Sequence, residues 1–196
     1  MQDFNTKIIG KNKIFYEKID STQKEIWRRI EKNNIENGTI IVADIQTDGI
    51  GTHGRKWYKM EGSNLSFSLV LFPNIEVSKI KDLTVKIAEI WVSIFKEKYG
   101  ICIDIKEPND LMIKNHKLGG ILTQTKLQGN IVKSLVIGIG INTNGKQFDK
   151  EIQNIATSIK NEFKIDVDNS YLINKFAYEL EKQCEWIVGG TNKIWK

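Results

Sequence analysis

The sequence is poor in cysteine, proline and histidine, and each shortage narrows the fold classes to consider. Its 196 residues contain two of each. Cys102 and Cys184 both have apolar neighbours, so we expect two buried, reduced thiols, whereas a secreted protein of this size usually carries several disulfides. With few prolines and 40% hydrophobic residues, the composition predicts an ordered domain with a sizeable core.

Long apolar runs and clusters of one charge are also missing. No run approaches the roughly 18 residues of a membrane span, and the first residues, MQDFNTKIIGKNK, lack the apolar segment of a signal peptide. We therefore expect a cytoplasmic protein. The formal net charge is +5, but the lysines are dispersed among acidic residues, which argues against a nucleic-acid surface. The positive balance equally suits nucleotide phosphates or an acidic protein partner.

The hydrophobic pattern predicts strands interrupted by helices. The clearest helix covers residues 78–99, where apolar residues recur at steps of three and four, and Gly100 is a suitable end. Several strands fall in hairpin arrangements, so we expect an α+β fold with a mixed, largely antiparallel sheet flanked by helices. The predicted strands are 12–19, 39–46, 64–71, 101–105, 111–113, 117–126 and 131–141, and the other helices are 22–32, 149–160 and 169–187.

Polar or glycine-rich segments follow or interrupt these strands, and loops at strand ends are where a sheet usually carries its site. Five segments have this character, namely residues 20–23, 48–57, 106–110, 117–120 and 138–142. The glycines of 48–57 suit phosphate contact through backbone N–H groups. The segment matches neither a Walker loop nor a Rossmann fingerprint.

Each segment taken alone also has a purely structural interpretation. Ser21 and Thr22 have the chemistry of a helix cap, and Pro108 with its polar neighbours makes an ordinary turn. Lys117 is either an exposed lysine at a strand start or a side chain that lies against a ligand beside the adjacent glycines. His53 and His116 supply too few ligands for a zinc site.

Taken together and in order, the segments resemble a known family. DSTQ (20–23), QTDGIGTHGRKW (46–57), KEPND (106–110), KLGGIL (117–122) and GIGINTN (138–144) are similar to motifs of biotin protein ligases, over about residues 14–145. The resemblance implies a fold related to class II aminoacyl-tRNA synthetases. It also implies a ligase that converts biotin and Mg-ATP into biotinyl-5′-AMP and pyrophosphate, then transfers biotin to a lysine of a biotin carboxyl carrier domain.

The resemblance further implies roles for particular residues. The carboxylate of biotin and the triphosphate of ATP are both anions, so positive charge is needed where they meet. A preorganised donor typically stabilises such a transition state by about 3 kcal/mol. Biotin's neutral ureido ring needs neutral polar partners. The implied catalytic residues are Lys117 and Arg55. The implied biotin-binding residues are Ser21, Thr22, Gln23, Gln46, Gly49, Gly51, Thr52, Lys117, Gly119 and Gly120. The implied ATP-binding residues are Arg55, Trp57, Lys106, Asn109, Asp110 and Asn142, with Asn109 and Asn142 near Mg²⁺.

The chain departs from the family's motifs at a few positions. Ile50 and Thr52 stand where the glycine-rich loop usually has arginines, which puts their side chains in doubt as ligand contacts and predicts weaker retention of the adenylate. Glu107 stands in place of a tryptophan, and Gln23 in place of an asparagine, which keeps the amide.

The motifs begin within the first 20 residues. We therefore expect residues 1–196 to form one catalytic domain without the DNA-binding domain of bifunctional members, and we expect no DNA binding. The family's small C-terminal β-domain is expected to be absent or cut off, and the protein to be a monomer or a homodimer. Two alternatives stay open: a lipoate or octanoate ligase, and a non-catalytic biotin-binding sensor.

Overall fold

The computed structural model describes residues 4–58 and 64–189. The strands are β1 (Lys13–Ile19), β2 (Ile40–Gln46), β3 (Gly49–Ile50), β4 (Lys56–Trp57), β5 (Leu65–Leu71), β6 (Ile75–Glu76), β7 (Asp104–Lys106), β8 (Asp110–Ile113), β9 (His116–Gln128) and β10 (Ile131–Ile141). The helices are α1 (Thr22–Glu31), α2 (Leu83–Tyr99), α3 (Ile159–Phe163), α4 (Asn169–Gln183) and α5 (Glu185–Val188), with 3₁₀ turns at Thr52–Gly54 and Val77–Ile80.

One sheet organises the described chain. Its strand order is β1-β2-β5-β10-β9-β8-β7, and β6 pairs with one end of β10. Only β1 and β2 are parallel, and the other pairs of this sheet are antiparallel. The β9–β10 hairpin, turned at Gly129 with φ +58°, provides two of the inner strands. The expected α+β fold with a mixed, largely antiparallel sheet is confirmed.

Helices cover both faces of the sheet. On one face α2 packs on α4, and the Trp91 ring stacks on Phe176 with a centroid distance of 4.7 Å and an interplanar angle of 6°. On the other, Ile26 of α1 packs on Ile41 and Val136. Successive strand residues point to opposite faces. Ile40, next to Ile41, therefore packs in the core on the α2 and α4 side of the sheet. None of the helices in the described ranges is long and apolar enough to span a membrane.

Local chemistry fixes the ends of the helices near the site. α1 begins at Thr22 as predicted, because the Ser21 hydroxyl accepts a hydrogen bond from the Lys24 backbone N–H at 3.4 Å. α2 begins at Leu83, later than predicted, since the preceding residues form a 3₁₀ turn. It ends at Gly100, which takes the left-handed conformation at φ +68° that glycine tolerates best.

The helix predicted for residues 149–160 is wrong. The segment forms turns with a few local hydrogen bonds, such as that from the Ala156 N–H to the Ile152 carbonyl at 2.9 Å, and its far end pairs with the start of β9. The Lys117 N–H donates to the Ile155 carbonyl at 2.8 Å, and the Thr157 N–H donates to the Lys117 carbonyl at 2.9 Å. The short helix α3 (Ile159–Phe163) begins only at the end of the predicted range. The helix predicted for residues 169–187 is interrupted at Cys184.

The prediction that both cysteines are buried is wrong for one of them. Cys184 is buried in the core, whereas Cys102 is exposed. Ile101 and Ile103 on either side of Cys102 are buried, so the alternation of an extended chain turns the thiol toward solvent. The strand expected here from residue 101 begins only at Asp104.

Candidate active site

A cleft of about 580 Å³ lies where the start of α1, the glycine-rich loop and the inner strands meet. All five segments singled out in the sequence contribute to it. The predicted site residues that line it are Ser21, Thr22, Gln23, Gln46, Gly51, Thr52, Arg55, Trp57, Lys106, Asn109, Asp110, Lys117, Gly120 and Asn142. Residues from remote parts of the sequence therefore face one space.

Two of the predicted glycines do not line the cleft. A Cβ on Gly49 would lie 2.9 Å from the Trp57 carbonyl oxygen, and a Cβ on Gly119 would lie 2.8 Å from the Gly140 carbonyl oxygen. Both distances are shorter than a Cβ tolerates, so these glycines are needed where backbones approach each other closely. Their place in the fold is explained by strand packing.

One part of the cleft, here called the polar wall, consists of Ser21, Thr22, Gln23, Gln46 and Ser68. Four of these residues are at most 3% exposed, and only Gln46 is more accessible. The Gln46 Oε1 accepts from the Thr22 backbone N–H at 2.8 Å. The Thr22 and Ser68 hydroxyl oxygens lie 2.8 Å apart, and Ser68 donates to the Gln23 Oε1 at 2.9 Å. The polar wall is thus a neutral hydrogen-bonding surface inside an otherwise apolar interior.

A glycine pair on two neighbouring strands receives the indole of Trp57. Gly140 and Gly120 are register partners on β10 and β9. A Cβ on Gly140 would lie 2.5 Å from Trp57 ring atoms, and one on Gly120 would lie 3.6 Å from the same ring. The Lys117 Nζ lies 6.0 Å from the Trp57 ring centroid. The glycines therefore make a bare floor on which a flat group can lie.

Charge in the cleft is strongly unbalanced. The described lining includes four basic residues, namely Arg55, Lys56, Lys106 and Lys117, against one carboxylate, Asp110. The Lys117 Nζ donates to the Asp110 Oδ1 at 2.6 Å, and their side chains are 30% and 16% exposed. The pairing fixes the direction of the ammonium group, and the remaining positive charge suits a polyanionic ligand.

Two asparagines of the cleft each donate to a neighbour through the amide nitrogen, which orients their side chains. The Asn109 Nδ2 donates to the Asp110 Oδ1 at 3.2 Å, and the buried Asn142 Nδ2 donates to the Thr157 carbonyl at 3.0 Å. Oxygen donors beside one carboxylate fit Mg²⁺, which typically takes only one or two carboxylates and completes its shell with phosphate and water. Within the described ranges there is no cluster of three His, Cys, Asp or Glu side chains that would hold a metal without a ligand's help.

The glycine-rich loop folds back on itself at the mouth of the cleft. The Arg55 Nη2 donates to the Thr52 Oγ1 at 2.9 Å, and the Gly51 N–H donates to the Arg55 carbonyl at 2.7 Å. Thr52, one of the two departures from the family motif, thus holds the remaining arginine, and Ile50 also lines the cleft. Tyr58 donates to Glu151 at 2.6 Å, which ties the loop's end to the turn after β10.

An ion pair fixes the segment that leads into α1. Arg28 makes two hydrogen bonds of 2.7 Å to the Asp20 carboxylate. The Arg28 guanidinium lowers the pKa of Asp20 from its ordinary 3.8 to about 2. The Asp20 carbonyl in turn accepts from the Asp48 N–H at 2.8 Å, so the start of the polar wall and the glycine-rich loop are held together.

Sequence reasoning assigned no site role to several residues that face the cleft. Phe67, Ser68, Gly138, Gly140, Ile152, Ile155 and Ala156 all line it. A signal existed for Ser68, a small polar residue within the otherwise apolar run of β5. For the residues after β10 the helical interpretation of 149–160 hid the signal, because it did not bring that segment back to Lys117.

An eight-stranded sheet with helices on both faces, and a cleft that joins a neutral polar wall to a group of basic residues, defines a class of α+β domain suited to a ligand with one neutral and one anionic part. The chain belongs to the Biotin/lipoate A/B protein ligase family, whose profile matches residues 15–142. That range contains most of the cleft.

Curated proteins to which the chain is similar carry related descriptions. The chain is 37% identical over 180 residues to the bifunctional ligase/repressor BirA of Bacillus subtilis (strain 168), which covers 91% of this chain and 55% of that protein. It is 28% identical over 191 residues to the biotin–protein ligase of Homo sapiens, which covers 92% of this chain and 26% of that protein. The chain therefore spans about half the length of the BirA relative.

The fold also matches solved structures. The biotin protein ligase from Aquifex aeolicus in complex with biotin and ATP superposes with a TM-score of 0.74 at 30% sequence identity, over 89% of this chain and 71% of that one. The arrangement of sheet and helices described above is therefore that of a biotin protein ligase catalytic core.

Proposed function

We propose that this chain carries the catalytic unit of an ATP-dependent biotin–protein ligase that acts in the cytoplasm. It would activate biotin to biotinyl-5′-AMP and transfer the biotinyl group to a lysine of a biotin carboxyl carrier protein. The observation that supports this most directly is the cleft itself, which joins the buried polar wall to basic residues. The match to relatives that are described as biotin protein ligases supports the same proposal.

The polar wall suits the ureido end of biotin. A ureido group carries a carbonyl acceptor and two N–H donors, and it is neutral. Amides and hydroxyls such as those of Thr22, Gln46 and Ser68 can satisfy it without an opposing charge. The apolar side chains of Phe67 and Ile139 lie in the same cleft and would cover the sulfur ring and the valeryl chain.

The basic residues suit the place where the biotin carboxylate meets the α-phosphate of ATP. In the first step a carboxylate oxygen forms a bond to the α-phosphorus, and the bond from that phosphorus to the bridging oxygen breaks as pyrophosphate leaves. Both reactants are anions, so Lys117 and Arg55 would reduce their repulsion and stabilise the charge that develops on the phosphate oxygens. Asp110, at 2.6 Å from Lys117, would keep the ammonium group oriented.

Other residues of the cleft would hold the nucleotide. Lys106 would contact the outer phosphates, and the Asn109 and Asn142 amide oxygens with Asp110 would hold Mg²⁺. That ion supplies further neutralisation of the triphosphate when bound. Trp57, which rests on the glycine floor, would cover the ligand and exclude water from the mixed anhydride.

The second step joins biotin to the carrier. The deprotonated amine of the acceptor lysine attacks the acyl carbon of biotinyl-AMP. The bond from that carbon to the phosphate oxygen breaks, AMP leaves with that oxygen, and the nitrogen releases one proton to solvent to give the neutral amide. The basic residues would stabilise the leaving phosphate in this step as well, so one group of charges would serve both reactions.

Transfer to a carrier tests the proposal. We expect purified protein with Mg-ATP and biotin to biotinylate a recombinant biotin carboxyl carrier domain, detected by intact-protein mass spectrometry, and to leave a carrier with lysine replaced by arginine unmodified. Lipoate in place of biotin is expected to give no product, because lipoate has no ureido group to form hydrogen bonds with the buried polar wall. Transfer of lipoate alone would assign the chain to the lipoyl branch, and binding of biotin without transfer would assign it as a sensor.

A further inference from the structure

One side chain outside the cleft, that of Gln124, contacts the polar wall from behind, and the Trp27 side chain contacts Gln124. Gln124 on β9 and Trp27 on α1 are partly buried and do not line the cleft. The Trp27 Nε1 donates to the Gln124 Oε1 at 2.7 Å, and the Gln23 Nε2 donates to the same oxygen at 3.1 Å. Gln124 therefore connects α1 to the buried amide of Gln23.

The indole of Trp27 fixes the direction of these hydrogen bonds. An indole N–H is only a donor, so the Gln124 atom that faces it at 2.7 Å must be the carbonyl oxygen. The same oxygen can only accept from Gln23, which must present its NH₂ group there. Gln23 is then left with its own oxygen directed toward Ser68.

The direction passes on to the cleft through two hydroxyls. Ser68 donates its one hydrogen to the Gln23 Oε1 at 2.9 Å, so it accepts from the Thr22 hydroxyl at 2.8 Å. The Thr22 hydroxyl also lies 3.2 Å from the Gln46 Oε1, but its one hydrogen serves the shorter contact. Gln46 already accepts from the Thr22 backbone N–H. The polar wall therefore offers a ligand the amide hydrogens of Gln46 and a lone pair of Thr22.

The backbone of β10 leaves room for this arrangement. A Cβ on Gly138 would lie 2.6 Å from the Gln23 Oε1, so only glycine lets the amide lie against the strand in its present orientation. Gln23 is 3% exposed, and its NH₂ group also approaches the Val136 carbonyl at 3.4 Å. A buried amide with this many partners has one favoured orientation and a cost for any other.

We propose that Trp27 and Gln124 are positioning residues that set the donor and acceptor directions of the polar wall, and so its selectivity for a headgroup that carries both a carbonyl acceptor and N–H donors. The proposal rests on the proposed function, since the ureido group of biotin is such a headgroup. It extends that function to residues that would never touch the ligand. Removing the Gln124 oxygen leaves the Gln23 NH₂ group with only its longer contact to the Val136 carbonyl at 3.4 Å, and removing the indole N–H removes the donor that fixes which end of the Gln124 amide faces Gln23. The preference for this orientation of the Gln23 amide, and for the hydroxyl directions that depend on it, is then weaker.

Calorimetric binding of two ligands to purified protein tests this. Biotin is compared with 2-iminobiotin, in which an N–H donor replaces the carbonyl acceptor. We expect wild type to prefer biotin. In Trp27→Phe and Gln124→Met, biotin binding should weaken about tenfold, and the ratio of the two affinities should fall by at least about fivefold, with the apparent KM for ATP unchanged. Gln124→Glu keeps an acceptor for both donors and should retain the wild-type ratio.

Gln128→Met is the matched control, since Gln128 is exposed farther along β9, and it should bind both ligands as wild type does. Circular dichroism melting of each variant separates loss of fold from loss of selectivity. If one of Trp27→Phe and Gln124→Met fails to fold, the other still tests the proposal. Wild-type affinity ratios in both variants would overturn the positioning role while leaving the proposed function intact. Wild-type protein that does not bind biotin would overturn the proposed function and this role with it.

Discussion

At the scale of single residues, the cleft depends on side chains whose polar atoms already form hydrogen bonds with neighbouring residues. Lys117 is the central case, because it belongs to the cleft through its ammonium group and to the fold through its backbone. Its Nζ is paired with Asp110 at 2.6 Å, and its N–H and carbonyl bond to Ile155 and Thr157. Removal of the side chain therefore takes away charge while leaving the backbone contacts in place.

Lys117→Ala should reduce biotinyl-AMP formation by at least about 100-fold, the usual scale for loss of one preorganised donor in a transition state. Pyrophosphate release under saturating ATP and biotin measures it. Lys114→Ala is the control, since Lys114 is 77% exposed and outside the cleft, and its surface ion pair contributes little. Near-normal turnover in Lys117→Ala would remove Lys117 from the reacting centre.

At the scale of elements, α1 ties the polar wall to the glycine-rich loop. The helix starts where Ser21 caps it, and the preceding Asp20 is held by two hydrogen bonds from Arg28 in the same helix. Lys24 forms a further ion pair with Asp48 of the loop. The contacts at the N-terminal turn of α1 therefore hold the polar wall and the glycine-rich loop in fixed positions relative to each other.

The Asp20 ion pair predicts how stability depends on pH. Its folded pKa of about 2 lies below the ordinary 3.8, so its contribution is present above about pH 4 and is lost as pH falls toward 2. Because the Asp20 side chain is 36% exposed, the contribution is limited to about 1 kcal/mol. Urea unfolding of wild type and Asp20→Asn should differ by this amount at pH 7, and the difference should shrink as pH approaches 3.

Asp44→Asn provides the comparison, because Asp44 is exposed on β2, and it should leave stability unchanged across this range. A difference between wild type and Asp20→Asn that stays constant from pH 7 to pH 3 would contradict the assignment of the low pKa to the Arg28 contact.

Most helices and strands could be predicted from local sequence patterns, because the signals that define them lie within a few residues. The period of α2 and the cap at Ser21 are encoded within a few residues, and both were predicted. The position of Ser68 opposite Gly138 depends on the register between β5 and β10, which no local pattern sets. The failed helix at 149–160 has the same cause, since its backbone bonds to Lys117, distant in sequence.

At the scale of the whole molecule, the protein has a cleft with two chemical characters. The five segments lie far apart in sequence, yet the sheet order places the ends of β2, β8, β9 and β10 around the same space. In the proposed function, the neutral polar wall and the basic residues act on one ligand pair. The central claim is that they bring a carboxylate oxygen of biotin to the α-phosphorus of ATP.

The fate of that oxygen tests the claim most directly. Biotin labelled with ¹⁸O in both carboxylate positions is incubated with the protein, Mg-ATP and a biotin carboxyl carrier domain, and the released AMP is analysed by mass spectrometry. We expect AMP that carries one ¹⁸O atom, in equal amount to biotinylated carrier, because the oxygen that attacked phosphorus leaves with the nucleotide. Biotinylated carrier with unlabelled AMP, or with ADP and phosphate in place of AMP, would contradict it.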